Sequence, residues 1–386
     1  MSLVNNLVKS NLVAESLSNE ILEKTDLSLN HTNYKIQKSL SFNKKPKPHH
    51  DELGFGKYFT DHMLVSTYKN GVWNTPIIQA YQSLNLDPAS SVLHYGQALF
   101  EGMKAFTLAD GSTALFRPEY NWKRLNLGAE RLCMPQIPRD LFLEGIKELI
   151  RVDADWIPQE SNCSLYIRPT LIGTEAFLGV RPSNEYLFFT ILSPVGSYYG
   201  NSLNKGIKIW IEEEFVRAAP GGLGATKAAA NYANSLFATQ KAKDNHFAQV
   251  LWLDVNHQFV EEVGTMNVFF VFKNRIVTPE LHGTILAGGV RDCVIQILKS
   301  WNYSVEVRPL SLKEICDSSD SKQLIEVFGT GTAAVITSIE ELHRKSGSPI
   351  QLPHNGMGPL AQKLFDTLTG IQRGTIADSY HWLERI

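Results

Sequence analysis

Ala219-Pro220-Gly221-Gly222-Leu223-Gly224-Ala225-Thr226-Lys227 is the densest glycine cluster of the chain, set between a strand pattern at Ile207–Glu212 and a helical pattern at Ala228–Lys243. Strand, glycine turn and helix in that order also build nucleotide-binding loops, so the spacing inside the cluster decides the fold. A Walker A loop requires Gly-Lys-Ser/Thr, and here Thr226 precedes the lysine while Ala228 follows it. A dinucleotide fingerprint fails too, because Gly222-Leu223-Gly224 is followed by Lys227 where a third glycine belongs. What remains is a flexible turn that delivers one lysine to the start of a helix. A solvated lysine is the plain reading, but Ala225, Ala228, Ala229 and Ala230 clear space around it, as a bulky ligand needs. The positive end of the helix dipole and desolvation both favour the neutral amine of a lysine so placed. A neutral amine is what Schiff-base chemistry requires.

Outward from the cluster, the patterns alternate. C-terminal to it come a hairpin (Gln249–Leu253, Phe259–Glu262), a very apolar strand at Asn267–Phe272, a helix at Val290–Ser300 and a strand at Gln323–Phe328. N-terminal to it lie strand-like runs at Phe59–Tyr68 and Thr113–Phe116, and helical runs at Asn121–Cys133 and Arg139–Asp153. Two strands rich in β-branched and aromatic residues follow, Ser164–Ile172 and Tyr186–Leu192. The mixture predicts an α/β (α+β) protein of two domains. Residues 1–50 read as an extension with an amphipathic helix and a basic linker, 51–195 as a first domain, 196–206 as a Gly/Ser/Asn-rich linker and 207–386 as a second domain.

Composition narrows the function. The 386 residues carry 37 Lys+Arg against 39 Asp+Glu, a net charge of −2, which offers no basic face to nucleic acid. No apolar run nears a membrane span, Val268–Phe272 being the longest noticed. Cys133, Cys163, Cys293 and Cys316 are scattered without a CxxC pair, and His49-His50 sits in a solvated Lys/Pro linker, so no metal site is expected. Residues 1–37 repeat apolar residues at helical spacing but hold Glu15, Glu20, Glu23 and Asp26, and the first arginine is Arg117; a mitochondrial presequence is not indicated and the cytoplasm is expected.

Two further motifs bear on chemistry. In Glu261-Glu262-Val263-Gly264-Thr265-Met266-Asn267, neighbouring strand residues point to opposite faces, so one glutamate is expected in solvent and the other buried against a cation. Val327-Phe328-Gly329-Thr330-Gly331-Thr332-Ala333-Ala334 reads as strand, turn and helix. It fits G-x-G-x-x-A without the acidic strand end of a dinucleotide fold, so an anion cradle of backbone N–H groups is the better reading. Ala287-Gly288-Gly289-Val290, just before a helix, makes a second such cradle. Two cradles and a lysine indicate a ligand with a phosphate and a second anionic group.

The runs Phe55-Gly56-Lys57-Tyr58-Phe59-Thr60-Asp61-His62-Met63 and His94-Tyr95-Gly96-Gln97-Ala98-Leu99-Phe100-Glu101-Gly102-Met103-Lys104-Ala105-Phe106 resemble branched-chain amino-acid aminotransferases of fold type IV. So do Leu165-Tyr166-Ile167-Arg168-Pro169, Arg217-Ala218-Ala219-Pro220-Gly221-Gly222, Glu262–Asn267 and Gly329–Ala333. The likeness runs from about Leu53 to the C-terminus. It implies a smaller N-terminal α/β domain, a larger C-terminal domain with barrel-like β structure, and pyridoxal 5'-phosphate as cofactor. Lys227 would be the Schiff-base lysine, Tyr232 would bond the cofactor's phenolic oxygen, and Glu262 would face the pyridine nitrogen. Arg124 would clamp the phosphate together with backbone N–H groups of Gly289, Val290 and Thr330, and Thr332 and Ala333 would offer N–H groups to the substrate α-carboxylate.

Phe55, Tyr95, Phe100, Tyr166 and Thr265 would shape the side-chain pocket, with Val180 reaching in from the partner of a homodimer, and Tyr95, Arg168 and Tyr166 would meet a glutamate γ-carboxylate. The implied reaction is transamination of L-leucine, L-isoleucine and L-valine with 2-oxoglutarate, giving 2-oxo acids and L-glutamate. A D-amino-acid aminotransferase or an aminodeoxychorismate lyase would share the lysine and glutamate; a nicotinamide-dependent dehydrogenase would rest on Gly329–Ala334 alone. Two departures stand out. Ala287-Gly288-Gly289-Val290 replaces a Leu-Pro-Gly-Val-like sequence, which implies a looser phosphate cup. Ala334 and Thr337 replace the redox cysteines of some animal members, so thiol regulation of that kind is not expected.

Overall fold

A computed structural model describes residues 34–196 and 205–386. The amphipathic helix expected within residues 1–33 and the linker residues 197–204 lie outside them. The described chain divides into two units, the first holding residues 34–196 with Thr226–Ala230 and Gly370–Ile386, the second holding 205–225 and 231–369. Beyond residue 207 the chain thus returns twice to the first unit instead of remaining in the second. Strand pairing explains both returns: Ala228 bridges to Leu99, and Leu383–Arg385 pairs antiparallel with Thr113–Phe116.

The first unit is built on a mixed sheet of β1 (Gln37–Ser39), β2 (His62–Lys69), β3 (Val72–Trp73), β4 (Ile77–Ala80), β5 (Ala98–Phe100), β6 (Met103–Thr107), β7 (Thr113–Phe116), β8 (Ser164–Gly173), β9 (Tyr186–Val195) and the C-terminal strand. Its order is β1-β4-β2-β9-β8-β6-β7 and then Leu383–Arg385, with β3 on β2 and β5 on β8. The two strands richest in β-branched and aromatic residues, β8 and β9, form the long central pair, in register from Ser164↔Val195 to Gly173↔Tyr186. Three helices accompany the sheet: α1 (Ser91–Tyr95), α2 (Pro118–Arg131) and α3 (Arg139–Val152).

In α3, Phe142, Ile146, Leu149 and Ile150 recur at helical spacing and are buried. Gly145 lets this face sit on β2, because a Cβ there would stand 2.7 Å from Leu64 Cδ2. α2 opens on Pro118, whose fixed φ and missing N–H suit a first turn. It buries Trp122, whose indole N–H donates to the Ile137 carbonyl at 2.8 Å.

The second unit holds β10 (Ile207–Ile211), β11 (Gln249–Leu253), β12 (Val260–Val263), β13 (Asn267–Phe272), β14 (Ile276–Thr278), β15 (Val305–Val307), β16 (Leu324–Gly331), β17 (Val335–His343) and β18 (Ile350–Gln351). The order is β12-β11-β10-β17-β16-β13-β14-β15, with β18 on β17. All of β13 is buried, as a strand covered on both faces should be, and Phe269 stacks on Phe328 of β16 at 5.3 Å. Two helices matter for the site, α4 (Ala229–Asp244) and α5 (Gly289–Ser300). The turn at Thr332–Ala334 leads into a strand, not the expected helix: Gly331 pairs with Val335, and Val335, Ile336, Thr337 and Ile339 are β-branched residues that favour the pleated state. Among the described residues no helix is long and apolar enough to cross a membrane.

Candidate active site

In the first unit the lysine and its neighbours are placed by β5 and α2. The Phe100 N–H donates to the Lys227 carbonyl at 3.2 Å, and the lysine Nζ stands 4.5 Å from the centre of the Phe100 ring. Glu101, next in the chain, is fully buried and accepts from Arg124 Nε and Nη2 and from Asn121 Nδ2, each at 2.7 Å, and from the Gly102 N–H at 3.1 Å. Asn121 and Arg124 are three residues apart on α2, which turns both toward one carboxylate. Burial works to raise the Glu101 pKa, but Arg124 and then Lys227 outweigh it and hold the carboxyl below the usual range. Burial pushes the Lys227 amine down to about 8; Glu101 opposes that shift, while Arg124 adds to it. A lysine so tuned is neutral in about one molecule in ten at pH 7, far more often than an ordinary lysine.

The wall beside it is aromatic and cationic. Arg168 Nη2 donates to Tyr166 Oη at 2.9 Å, and its guanidinium lies 4.6 Å from the Phe100 ring and 5.2 Å from that of Tyr166. Phe55 meets Tyr166 edge-on at 4.9 Å. Arg168 Nε is buried without a hydrogen-bond partner. Gly102 is required here, since a Cβ would stand 2.2 Å from Tyr166 Oη. Phe55, Phe100, Arg124, Tyr166, Arg168 and Lys227 are therefore linked into one group. Tyr95 closes α1 and Val180 lies in the loop between β8 and β9: the Tyr95 hydroxyl donates to the Leu178 carbonyl of that loop, and Val180 is 87 % exposed.

The second unit places the other residues. Glu262 on β12 accepts from the Leu286 N–H at 2.8 Å through Oε1, and Arg217 Nε lies 3.2 Å from Oε2. Arg217 is itself fixed by donating from Nη2 to the carbonyls of Gly224, at 2.9 Å, and Thr284. The expectation that one of the paired glutamates faces solvent fails, for Glu261 and Glu262 are 2 % and 3 % exposed. The loop carrying His282 and Thr284 covers the second face, with His282 Nε2 4.0 Å from Glu261. Burial raises the Glu261 pKa, and the Thr284 hydroxyl offsets part of the rise.

Gly289 and Val290 open α5, with Gly288 extended before them. A Cβ on Gly288 would stand 2.0 Å from Asn267 Oδ1, while Asn267 Nδ2 donates to the Leu286 carbonyl at 2.9 Å. Thr330 Oγ1 on β16 is buried without a partner, an open hydrogen-bonding position in the same unit as this helix N-terminus. Thr332 and Ala333 occupy the β16–β17 turn, Thr265 is exposed in the β12–β13 turn, and Tyr232 lies in the first turn of α4.

Each unit, taken by itself, carries groups of the kind that pyridoxal phosphate requires. A helix N-terminus and an unmatched hydroxyl suit a phosphate, a buried carboxylate suits a pyridinium, and a lysine of lowered pKa suits an aldehyde. Glu101, Asn121 and Arg217 escaped the sequence reading of the site. A signal for Arg217 was present, since a buried glutamate demands a cation and Arg217-Ala218-Ala219-Pro220 abuts the lysine turn.

Residues 98–342 match the family described as amino-transferase class IV. The branched-chain-amino-acid aminotransferase 2 of Bacillus subtilis (strain 168) is 47 % identical over 357 residues, 92 % of this chain and 98 % of that protein. Among solved structures, the T.th. branched-chain amino acid aminotransferase with pyridoxamine 5'-phosphate is 28 % identical, with a TM-score of 0.68 over 83 % of this chain and 97 % of the other. The same enzyme complexed with N-(5'-phosphopyridoxyl)-L-glutamate gives 27 % identity and a TM-score of 0.66, with 83 % and 97 % covered. The chain belongs to the class IV aminotransferases, with their fold-type IV architecture and pyridoxal phosphate cofactor, and within them to the branched-chain-amino-acid enzymes.

Proposed function

We propose that this enzyme moves the amino group of L-leucine, L-isoleucine and L-valine to 2-oxoglutarate, releasing the branched-chain 2-oxo acids and L-glutamate. The observation that carries the reading is the half-buried Lys227, its amine set against Phe100 in a wall that also holds Tyr166 and Arg168 and lowered to about 8. Lys227 and Arg124 of the first unit, with Tyr232, Glu262, Gly289, Val290 and Thr330 of the second, are the residues assigned to the cofactor. When bound, pyridoxal phosphate supplies the electron sink that makes a Cα proton removable.

The rest is done by side chains. Lys227 in its neutral form takes the Cα proton and later returns a proton, so its lowered pKa matches the task. Glu262, held by the Leu286 N–H and flanked by Arg217, keeps a negative charge where a ring nitrogen must stay protonated. The N–H groups of Thr332 and Ala333 are assigned to the α-carboxylate. Phe55, Phe100 and Tyr166 give a branched aliphatic side chain apolar surface. Arg168, with its unmatched Nε, supplies the charge-assisted donor that a glutamate side chain requires.

A homodimer belongs to the same reading. Leu93, Tyr95, Phe177, Leu178 and Val180 are all exposed, on α1 and the loop between β8 and β9, and a second copy is the occupant that such an apolar surface fits. Four free cysteines accord with the cytoplasm. The deciding experiment is the absorption spectrum of the purified protein: a visible band from bound pyridoxal phosphate that L-leucine alone bleaches, and 2-oxoglutarate restores, is expected. A band that responds to D-alanine and not to L-leucine would overturn the substrate assignment.

A further inference from the structure

Residues ahead of β2 lie on the first unit as a strap held by lysines. Lys45 donates its backbone N–H to Asp61 Oδ1 at 2.9 Å and its Nζ to the Thr60 carbonyl at 2.6 Å, and Lys47 Nζ meets Asp155 Oδ2 at 2.8 Å. The strap ends in a 3-10 turn at His50–Glu52, behind which Leu53 is buried. This anchoring fixes His49, His50 and Asp51, none of which belongs to the groups around Lys227.

Among the described residues, these three form the one group of three His, Cys, Asp or Glu side chains whose ligand atoms all lie within 4.8 Å of one another. His49 Nδ1 is 3.3 Å from Asp51 Oδ2, and His50 Nε2 is 3.3 Å from Asp51 Oδ1. A tetrahedral zinc ion with ligands at about 2.0–2.1 Å sets its ligand atoms roughly 3.3–3.4 Å apart, and each imidazole nitrogen already stands at that distance from one of the two Asp51 oxygens. A second observation comes from elsewhere in the chain. Glu160, in the loop ahead of β8, places Oε1 3.6 Å from His50 Nδ1, behind the ring and away from Nε2. A carboxylate on the non-ligating nitrogen is the device that orients a metal-binding imidazole.

We propose that His49 Nδ1, His50 Nε2 and the Asp51 carboxylate bind one divalent transition-metal ion of the zinc class, with Glu160 orienting His50 and water filling the open position. Two imidazoles and one carboxylate select zinc, nickel or copper(II) over magnesium or calcium. The linker composition around His49-His50 gave no hint of this, because the ligands are gathered by the turn and by Glu160, not by sequence spacing. The ion cross-links three residues of the strap, and His50 in turn faces Glu160 of the loop ahead of β8, so its effect is on stability and not on turnover.

The test is zinc titration of the full-length, cofactor-loaded protein against a chromophoric chelator, beside the surface variant His49→Ala/His50→Ala. The native chain is expected to bind one equivalent more than the double variant at micromolar zinc, with no such difference for magnesium. Glu160→Gln is expected to weaken that equivalent about tenfold. Zinc should raise the thermal midpoint of the native chain and leave that of the double variant in place. Equal zinc uptake with equal midpoints in the two proteins would overturn the site; the double variant also cancels any binding by free cysteines or cofactor.

Discussion

Around Lys227 the charged groups are matched to one another: Glu101 accepts four N–H groups from Arg124, Asn121 and Gly102 while fully buried. Around Glu262 the second unit leaves atoms open, with Thr330 Oγ1 and Glu261 Oε2 buried without partners and Arg217 Nε near Glu262 but not aligned to bond it. The first unit holds such atoms too, Ser91 Oγ, Thr190 Oγ1, Ser193 Oγ, Asp378 Oδ1 and Arg168 Nε, and of these Arg168 Nε stands in the proposed substrate wall. The matched Glu101 group holds the machinery in place, whereas two of the unmatched atoms, Thr330 Oγ1 and Arg168 Nε, are the ones proposed to meet a ligand. A buried polar atom without a partner costs on the order of 1–3 kcal/mol, which binding returns. Substitutions on either side of this contrast should therefore behave differently, stability suffering on the matched side and affinity on the open side.

The largest effect is expected at the lysine itself. Lys227→Ala removes the group proposed as general base and as the amine that captures the cofactor. Turnover should fall by at least the ~10²–10⁴ that a positioned acid–base group contributes, measured on protein purified free of host aminotransferases. Folding should be unharmed, because the substitution takes away an enclosed amine whose charge burial already disfavours. Turnover near the native level would remove the mechanism altogether.

Glu101→Gln attacks the matched side. It leaves Arg124 buried without its counter-charge, and breaking such a pair costs about 3–5 kcal/mol, visible as a lowered denaturation midpoint. It also acts on the lysine with a definite sign. Glu101 raises the Lys227 pKa, so its neutralisation drops the amine further below about 8. The rate at which cofactor-free protein takes up pyridoxal phosphate follows the neutral amine, and its rising limb should move to lower pH in the variant. A limb that stays in place would show that Glu101 serves Arg124 alone.

These contrasts were unevenly legible in the sequence. Lys227 stood out because a glycine turn followed by small residues serves few other purposes, and β8, β9 and β13 because β-branched and aromatic runs of their length have few alternatives. The matching partners were not legible. Glu101 meets Arg124 only because β5 and α2 fold together across 23 residues, and Arg217 meets Glu262 across 45. Alternation along β12 correctly split the two glutamates between faces but said nothing of the loop that buries the second face. The helix expected after Gly331 failed for a related reason: a glycine turn closes hairpins as readily as it opens helices, and the β-branched residues beyond it decide.

A smaller loss is expected where glycine makes room in the matched unit. Gly102→Ala puts a methyl 2.2 Å from Tyr166 Oη, so the ring must move and the Arg168 bond with it. Overpacking of this kind costs about 1–3 kcal/mol. Because Tyr166 and Arg168 are assigned to the substrate and not to the cofactor, KM for both amino and oxo acid should rise more than cofactor affinity falls, as steady-state kinetics and cofactor titration will report.

The smallest and most telling effect lies on the open side. Thr330→Val keeps the shape of a buried side chain and removes a hydroxyl that has no partner within the chain. In cofactor-free protein the unmatched oxygen is a cost, so its loss should leave the thermal midpoint unchanged or raise it. In loaded protein the hydroxyl is assigned to an anionic phosphate, and a hydrogen bond to a charged group is worth roughly 1.5–3 kcal/mol, about tenfold or more in affinity. Stability and cofactor affinity should therefore move apart in this variant, whereas Glu101→Gln is expected to lower stability outright. A Thr330→Val protein that loses cofactor-free stability and keeps its affinity would place the hydroxyl on the matched side and dissolve the contrast between the two units.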